Sequence, residues 1–266
     1  LTFVTPTVIV GDQSLTSLIA HELAHSWSGN LVTNHTWNDF WLNEGFTVYF
    51  EMRIMERVYG KEFSDMLSAL SYDDLQRELA EMMEVDVEAT RLKQDLTGKN
   101  PDDAVTAIAY DKGYHFLKLC EHTVGRERWD AFLKGYFEEH AFVTMVTEAF
   151  LVELSEVLTP EEWEQIDVEQ WVYGEGLPIN CPMALSNRFA KVDEAVQLML
   201  RMDPSTPLEP YEGRAGAYLP REVTNRWSTQ EWLRYIREIE ASGAEVGHFM
   251  LMDAAYGFSG SVNPEI

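Results

Sequence analysis

The sequence is poor in basic residues and lacks long apolar stretches, and each shortage excludes a class of protein. Lys and Arg total 20 against 45 Asp and Glu, which gives a formal net charge of −25. So acidic a chain argues against nucleic acid and against an anionic membrane surface as partners. No apolar run reaches the roughly eighteen residues that a transmembrane helix needs. The acidity favours a solvated surface suited to a salty habitat, with attraction of cationic peptides as the alternative.

Cysteine is also scarce, with Cys120 and Cys181 the two in 266 residues. They lie far apart and in no metal-ligand spacing, which predicts two reduced thiols. A disulfide between them stays open at this stage, although nothing in the sequence requires one.

The chain does contain a His-Glu-x-x-His motif, formed by His21, Glu22 and His25. Histidines four residues apart share one face of a helix, so both imidazoles can reach one metal ion. Glu22 lies beside them, placed to accept a proton, and Glu44 follows His25 after the eighteen intervening residues 26–43. Two His and one Glu leave a fourth position open, which is typical of one catalytic zinc ion (Zn²⁺). The alternative is two ordinary histidines on a helix.

The flanks of the motif support the zinc interpretation. Apolar residues at helical spacing predict a buried face on the first helix, and residues 38–51 predict a second helix that carries Glu44 near its start. Glu51 follows Glu44 by seven residues and therefore falls on the same helical face. Two readings of Glu51 are open: it orients a zinc-bound histidine, or it is a solvated carboxylate. The apolar flanks of the first helix are Leu15, Leu18, Ile19, Leu23, Ala24 and Trp27.

Several segments of the sequence resemble the gluzincin aminopeptidases, the aminopeptidase N-like family. Within this family the chain looks most like the leukotriene A(4) hydrolase branch and its bacterial aminopeptidase relatives. The resemblance implies a thermolysin-like zinc catalytic domain, here its helical part, followed by an α-helical superhelical domain, so the fold class is mainly α. It also implies a bacterial, cytoplasmic enzyme that acts on peptides. The matching segments are 1–7, 21–25, 27–34, 40–45, 109–113 and 171–178.

The resemblance assigns roles to matching positions. It implies that His21, His25 and Glu44 bind zinc and that Glu22 is the general base. Tyr110 matches the tyrosine that donates a hydrogen bond to the developing oxyanion; from the sequence alone it is an unremarkable aromatic residue at a helix start. The implied reaction is hydrolysis of the peptide bond at a free N-terminus.

The chain also departs from the family pattern. It has no G-x-M-E-N motif, whose glutamate binds the free amine of the substrate, and Val105 stands where the leukotriene-hydrolysing member has a second tyrosine. Asp102 matches a pocket aspartate but is equally interpretable as a helix cap. We therefore expect an internal fragment that lacks the N-terminal β-domain and the end of the C-terminal domain. Two alternatives remain: a weak or inactive zinc-binding fragment, and a thermolysin-like endopeptidase.

The predicted organisation is a catalytic domain at 1–174, a Gly- and Pro-rich linker at 175–184 and a partial helical-repeat domain at 185–266. An array of helices cut short exposes an apolar face, which predicts self-association. Residues 7–10 are interpreted as the remnant of a strand, and residues 84–103 as an irregular segment. The predicted helices are 13–28, 40–59, 62–83, 110–124, 126–140, 147–157, 160–171, 187–202, 229–242 and 244–256.

Overall fold

A computed structural model describes residues 4–9, 11, 13–183, 185–201, 224 and 226–243. Helices dominate this part of the chain, which confirms the prediction of a mainly α fold. The helices are α1 (Thr16–Ala24), α2 (Trp41–Tyr59), α3 (Lys61–Val85), α4 (Gly113–Val124), α5 (Arg126–Glu139), α6 (Thr147–Val157), α7 (Pro160–Ile166), α8 (Val168–Tyr173), α9 (Asn187–Leu200) and α10 (Thr229–Ala241). A π-helix at Ile108–Lys112 precedes α4.

Two short strands, β1 (Val32–Asn34) and β2 (Val143–Met145), pair in parallel, with Thr33 opposite Thr144.

The chain divides into two compact units. The first comprises Leu1–Phe3, Ser17–Ser64 and Ser68–Ala184, and the second comprises Val4–Thr16, Asp65–Leu67 and Leu185–Ile266. The predicted domain limits at 174 and 185 stay predictions. Among the described residues, no helix combines the length and the apolar character that a membrane crossing requires.

The core of the first unit surrounds α2. Trp41, Phe46 and Tyr49 of this helix are buried, and burial of each such side chain stabilises the fold by about 1.5–3 kcal/mol. The ring of Phe46 lies 5.6 Å from that of Phe137 and 5.5 Å from that of Phe150, both in edge-on geometry. The middle of α2 is thereby fixed against α5 and α6.

The N-terminal end of α2 is held by a buried carboxylate. Asp39, two residues before the helix, accepts hydrogen bonds from the backbone N–H of Thr147 at 2.8 Å and from Lys93 Nζ at 2.5 Å. Burial alone raises the pKa of this carboxyl, but the hydrogen bonds from Lys93, Thr147 and Thr36 outweigh burial and hold the pKa of Asp39 below its usual range. This anchor fixes the first turn of α2, where Glu44 lies.

In the second unit, α9 and α10 pack side by side. Arg234 Nε donates to Asp193 Oδ1 at 3.0 Å, and Arg188 pairs with Glu231. Ser228 and Glu231 form a capping box at the start of α10. The buried apolar side chains of α9 and α10 are Phe189, Val192, Val196, Met199, Trp232 and Tyr235.

Several predicted elements are wrong in detail. Residues 7–10 were expected to be a strand, but Pro6–Val8 form a 3-10 turn, because proline fixes a φ suited to the first helical position. The predicted helix 160–171 is two helices, broken at Asp167 with a left-handed φ of 59°. The predicted helix 110–124 begins with the π-helix, and the predicted helix 244–256 lies outside the described residues.

The first helix also differs from its prediction. It spans Thr16–Ala24 rather than 13–28, and of the predicted apolar face the structure buries Ala24. Leu18, Ile19, Leu23 and Trp27 are exposed, so the expectation of a buried face is wrong for all four. The described part of the chain does not cover these side chains, although they follow a helical spacing.

Candidate metal centre

The two motif histidines meet at the end of α1. His25 lies one residue beyond the helix, but its backbone N–H still donates to the carbonyl of His21 at 3.2 Å, so the helical pitch continues through the motif. The two imidazole rings lie 4.9 Å apart between centroids, edge to face. The predicted common face is therefore formed.

Glu44 completes a cluster of three ligand side chains. Its Oε2 lies 3.3 Å from His21 Nε2 and 3.6 Å from His25 Nε2, and the three ligand atoms all lie within 4.8 Å of one another. Glu44 is 6% exposed, and its Oε2 is buried without a hydrogen-bond partner. A desolvated carboxylate oxygen beside two ring nitrogens is costly unless a cation joins them.

The far side of each ring is held by an acceptor. His21 Nδ1 lies 3.1 Å from Glu51 Oε2, and His25 Nδ1 lies 3.0 Å from the carbonyl oxygen of Ser28. Both acceptors require N–H at Nδ1, which leaves the lone pair of each Nε2 directed at Glu44. Of the two readings of Glu51, this contact favours the one that orients a histidine.

One further contact to His25 was not found from the sequence. Thr47 Oγ1 lies 3.2 Å from His25 Nδ1 and 2.6 Å from Ser28 Oγ, and it donates to the carbonyl of Asn43 at 2.9 Å. Thr47 follows Glu44 by three residues and so shares its helical face. That spacing was the available signal, but a threonine on a helix is too common for the signal to stand out.

The electrostatics of the cluster favour a cation. Burial lowers the pKa of His21, but the carboxylates of Glu44 and Glu51 outweigh burial and raise the pKa to about 9. Without a metal, a proton on His21 supplies the positive charge that the two carboxylates require.

Tyr110 lies over this cluster. Its ring is stacked on that of His21 at 6.2 Å and meets Phe40 edge-on at 6.0 Å. Burial and then the carboxylate of Glu44 raise the pKa of Tyr110 to about 12, so its hydroxyl is a proton-bearing donor at neutral pH. Glu22 is half-buried, and its negative charge is a further, smaller cause of the raised pKa of Tyr110.

The other predicted positions lie differently. Asp102 is exposed and does not cap a helix: Asn100 caps the 3-10 turn Pro101–Ala104 by accepting from the backbone N–H of Asp102. A second group of metal-ligating atoms within 4.8 Å of one another comprises Glu139, His140 and Glu153.

Comparison with known proteins decides the family. The model of the Peptidase family M1 domain matches residues 1–171, which is more than half of the chain. The chain belongs to peptidase family M1. This confirms the resemblance to zinc aminopeptidases, while the finer placement beside bacterial relatives is unsupported.

The most similar M1 relatives include fungal aminopeptidases. The chain is 42% identical over 182 residues to leucine aminopeptidase 2 of Sclerotinia sclerotiorum, which covers 66% of this chain and 30% of that protein. It is 33% identical over 270 residues to leucine aminopeptidase 2 of Emericella nidulans, which covers 100% of this chain and 42% of that protein. The chain therefore spans less than half the length of these M1 relatives.

Solved M1 structures share the fold. Native leukotriene A4 hydrolase from Saccharomyces cerevisiae superimposes with a TM-score of 0.83 at 29% identity, over 99% of this chain and 44% of that chain. The M1 zinc metallopeptidase from Deinococcus radiodurans gives a TM-score of 0.50 at 26% identity, over 64% of this chain and 35% of that chain. The M1 family thus implies zinc, and the orphaned Glu44 oxygen between two imidazole lone pairs fits that ion.

Proposed function

We propose that this chain carries the catalytic zinc centre of an aminopeptidase, with His21, His25 and Glu44 as the ligands of one zinc ion. The observation that supports this most directly is the buried, unpartnered Oε2 of Glu44, which faces the Nε2 atoms of both histidines. The hydrogen bonds at both Nδ1 atoms orient the rings for the same task. A zinc ion held there would supply Lewis-acid polarisation of the scissile carbonyl and acidify water.

The side chains of the chain divide the remaining work. Glu22 accepts the proton of the attacking water and passes it to the leaving amine. Tyr110 keeps its proton, because its pKa is raised to about 12, and donates its O–H to the oxyanion that develops on the scissile carbonyl. The substrates are peptides with a free N-terminus, as the names of the relatives suggest. A cytoplasmic location and self-association remain predictions.

The first test is hydrolysis of a fluorogenic aminoacyl amide with a free amine by the zinc-loaded chain. We expect turnover that a chelator abolishes and added zinc restores. An N-acetylated version of the same substrate is the matched control, because an aminopeptidase does not cleave it. Cleavage of the blocked substrate would instead favour the thermolysin-like endopeptidase. A sample with one zinc per chain and no turnover would favour the inactive zinc-binding fragment and contradict the proposal.

The role of Glu22 is tested by Glu22→Gln, which keeps the shape of the side chain and removes its basicity. We expect a loss of about a hundred- to ten-thousandfold in kcat with zinc content unchanged. Glu139→Gln, at an exposed carboxylate remote in sequence from the motif, is the control for a lost negative charge. Turnover at the wild-type rate in Glu22→Gln would remove Glu22 as the general base.

A further inference from the structure

Two glycines bring the backbone of α2 unusually close to the junction of the π-helix and α4. A Cβ atom built on Gly45 would lie 2.9 Å from Gly113 Cα, 3.1 Å from Gly113 C and 3.2 Å from the carbonyl oxygen of Ala109. A Cβ atom built on Gly113 would lie 3.0 Å from Gly45 Cα. All of these are backbone atoms, so no rotation of a side chain relieves the contact.

Neither glycine is required by its backbone conformation. Gly113 has φ −58° and ψ −48°, which any residue adopts in a helix, and Gly45 has no positive φ. A glycine inside a helix weakens that helix relative to alanine. The close approach of the two backbones is therefore what both positions require.

The two glycines adjoin the residues of the site. Gly45 follows Glu44, and Gly113 comes three residues after Tyr110 at the end of the π-helix. A π-helix is a wide, rare turn that occurs often at functional sites. The contact between the two backbones therefore joins the π-helix that carries Tyr110 to the helix that carries Glu44.

The rest of the π-helix is anchored on its other sides. Asp111 accepts from Ser71 Oγ at 2.6 Å, and the buried Lys112 donates from Nζ to the carbonyl of Thr90 at 2.7 Å and to that of Gly174 at 3.1 Å. These contacts hold the segment on α3 and on the neighbouring loops, so an added methyl group at the glycine contact requires a shift of the π-helix relative to α2.

We propose that the contact between Gly45 and Gly113 positions Tyr110 over the metal centre, so that both glycines are positioning residues for the tyrosine hydroxyl. The inference rests on the proposed function for its catalytic consequence, but the geometric claim stands on the backbone contact alone. An alanine at either position moves the ring of Tyr110 while the ligands His21, in α1, and His25, just beyond its end, stay in place.

The test compares Gly113→Ala and Gly45→Ala with Gly135→Ala. Gly135 lies in the helix α5, and a Cβ there would meet no atom within 4 Å, so it controls for the glycine-to-alanine change itself. We expect Gly113→Ala to lower kcat on the order of tenfold to a hundredfold, with KM and zinc content unchanged. Gly45→Ala meets three backbone atoms and should lose more. If one of Gly45→Ala and Gly113→Ala does not fold, the other is sufficient for the comparison with Gly135→Ala.

A double variant separates positioning from a general structural effect. In a Tyr110→Phe background the hydroxyl is already gone, so Gly113→Ala should cause little further loss of kcat. An equal loss in both backgrounds, or an unchanged kcat in Gly113→Ala, would overturn the inference.

A second readout does not depend on activity. In the NMR spectrum of the chain with isotope-labelled tyrosine rings, the Tyr110 signal is identified by its absence in Tyr110→Phe. Gly113→Ala should shift this signal and Gly135→Ala should not. An unshifted signal would refute the positioning role. If the wild-type chain has no turnover, the proposed function fails, and the ring signal still decides whether the glycine contact positions Tyr110.

Discussion

Two places in the described part of the chain gather histidine and carboxylate atoms within 4.8 Å of one another. We call them the α1–α2 cluster and the α5–α6 cluster. The α1–α2 cluster consists of His21, His25 and Glu44, and the α5–α6 cluster consists of Glu139, His140 and Glu153. In the first cluster both rings have a fixed acceptor at Nδ1, and the carboxylate oxygen that faces them is buried and unpartnered. In the second, one carboxylate is exposed, and the single ring pairs at 3.3 Å with the other carboxylate.

The two clusters offer the same kinds of ligand atom in different surroundings. His140 Nε2 lies 3.3 Å from Glu153 Oε1 and, like Glu44 Oε2, is buried without a hydrogen bond, but the carboxylates of Glu139 and Glu153 are more exposed than that of Glu44. In the α1–α2 cluster the groups behind the ligands are arranged so that the lone pairs converge. The two clusters therefore differ in the orientation of their rings and in the burial of their carboxylates, and matched substitutions in both test whether this difference matters.

The largest expected effect comes from removing one ring in each cluster. His25→Ala should lose the bound zinc and all turnover, because two ligands hold the ion far less tightly than three. His140→Ala should keep one zinc per chain and full turnover. Zinc per chain is measured by elemental analysis after dialysis against zinc-free buffer. Zinc retained in His25→Ala but lost in His140→Ala would mean that the α5–α6 cluster, not the α1–α2 cluster, binds the zinc ion.

The α1–α2 cluster was largely predictable from the sequence. His21 and His25 are four residues apart, and this spacing places both side chains on one face of a helix. Glu44 was predictable because a third ligand on a second helix is what such a site needs. The role proposed for Tyr110 came from the family resemblance, because this residue lies in a π-helix that no hydrophobic periodicity signals. The contact of Gly45 with Gly113 joins residues 68 positions apart in the sequence and was invisible for that reason.

The fold was predictable in kind and less so in its boundaries. Helical periodicity identified α2 and α6 nearly to the residue, and Gly60 marks the end of α2. It missed the strands β1 and β2, since three-residue strands are too short to show an alternating pattern. It also joined α7 and α8, because Asp167 adopts a left-handed conformation that the sequence pattern does not reveal.

A second prediction uses protons to probe the α1–α2 cluster. The pKa of His21 is raised to about 9, so below pH 9 a proton occupies the ring and must leave before zinc binds. The apparent affinity for zinc should therefore rise with pH and level off near pH 9, losing about tenfold for each pH unit below that value. A competition titration between pH 6 and 9, corrected for the protonation of the competing chelator, measures the slope. His140→Ala should leave the slope unchanged, and a flat profile in the wild-type chain would contradict the assignment of His21.

The smallest expected effect tests whether the groups behind the ligands matter. Glu51→Gln removes the carboxylate that holds His21 Nδ1, and such a loss typically weakens metal binding about ten- to a hundredfold. The same change lowers the pKa of His21 and so reduces competition from protons, which opposes the loss at neutral pH. Well above pH 9 the proton no longer competes, so the affinity measured there reports orientation alone. Glu153→Gln removes the matching carboxylate of the α5–α6 cluster and should leave zinc affinity unchanged. Equal affinities of wild type and Glu51→Gln well above pH 9 would mean that the ring of His21 is held by its packing, not by Glu51.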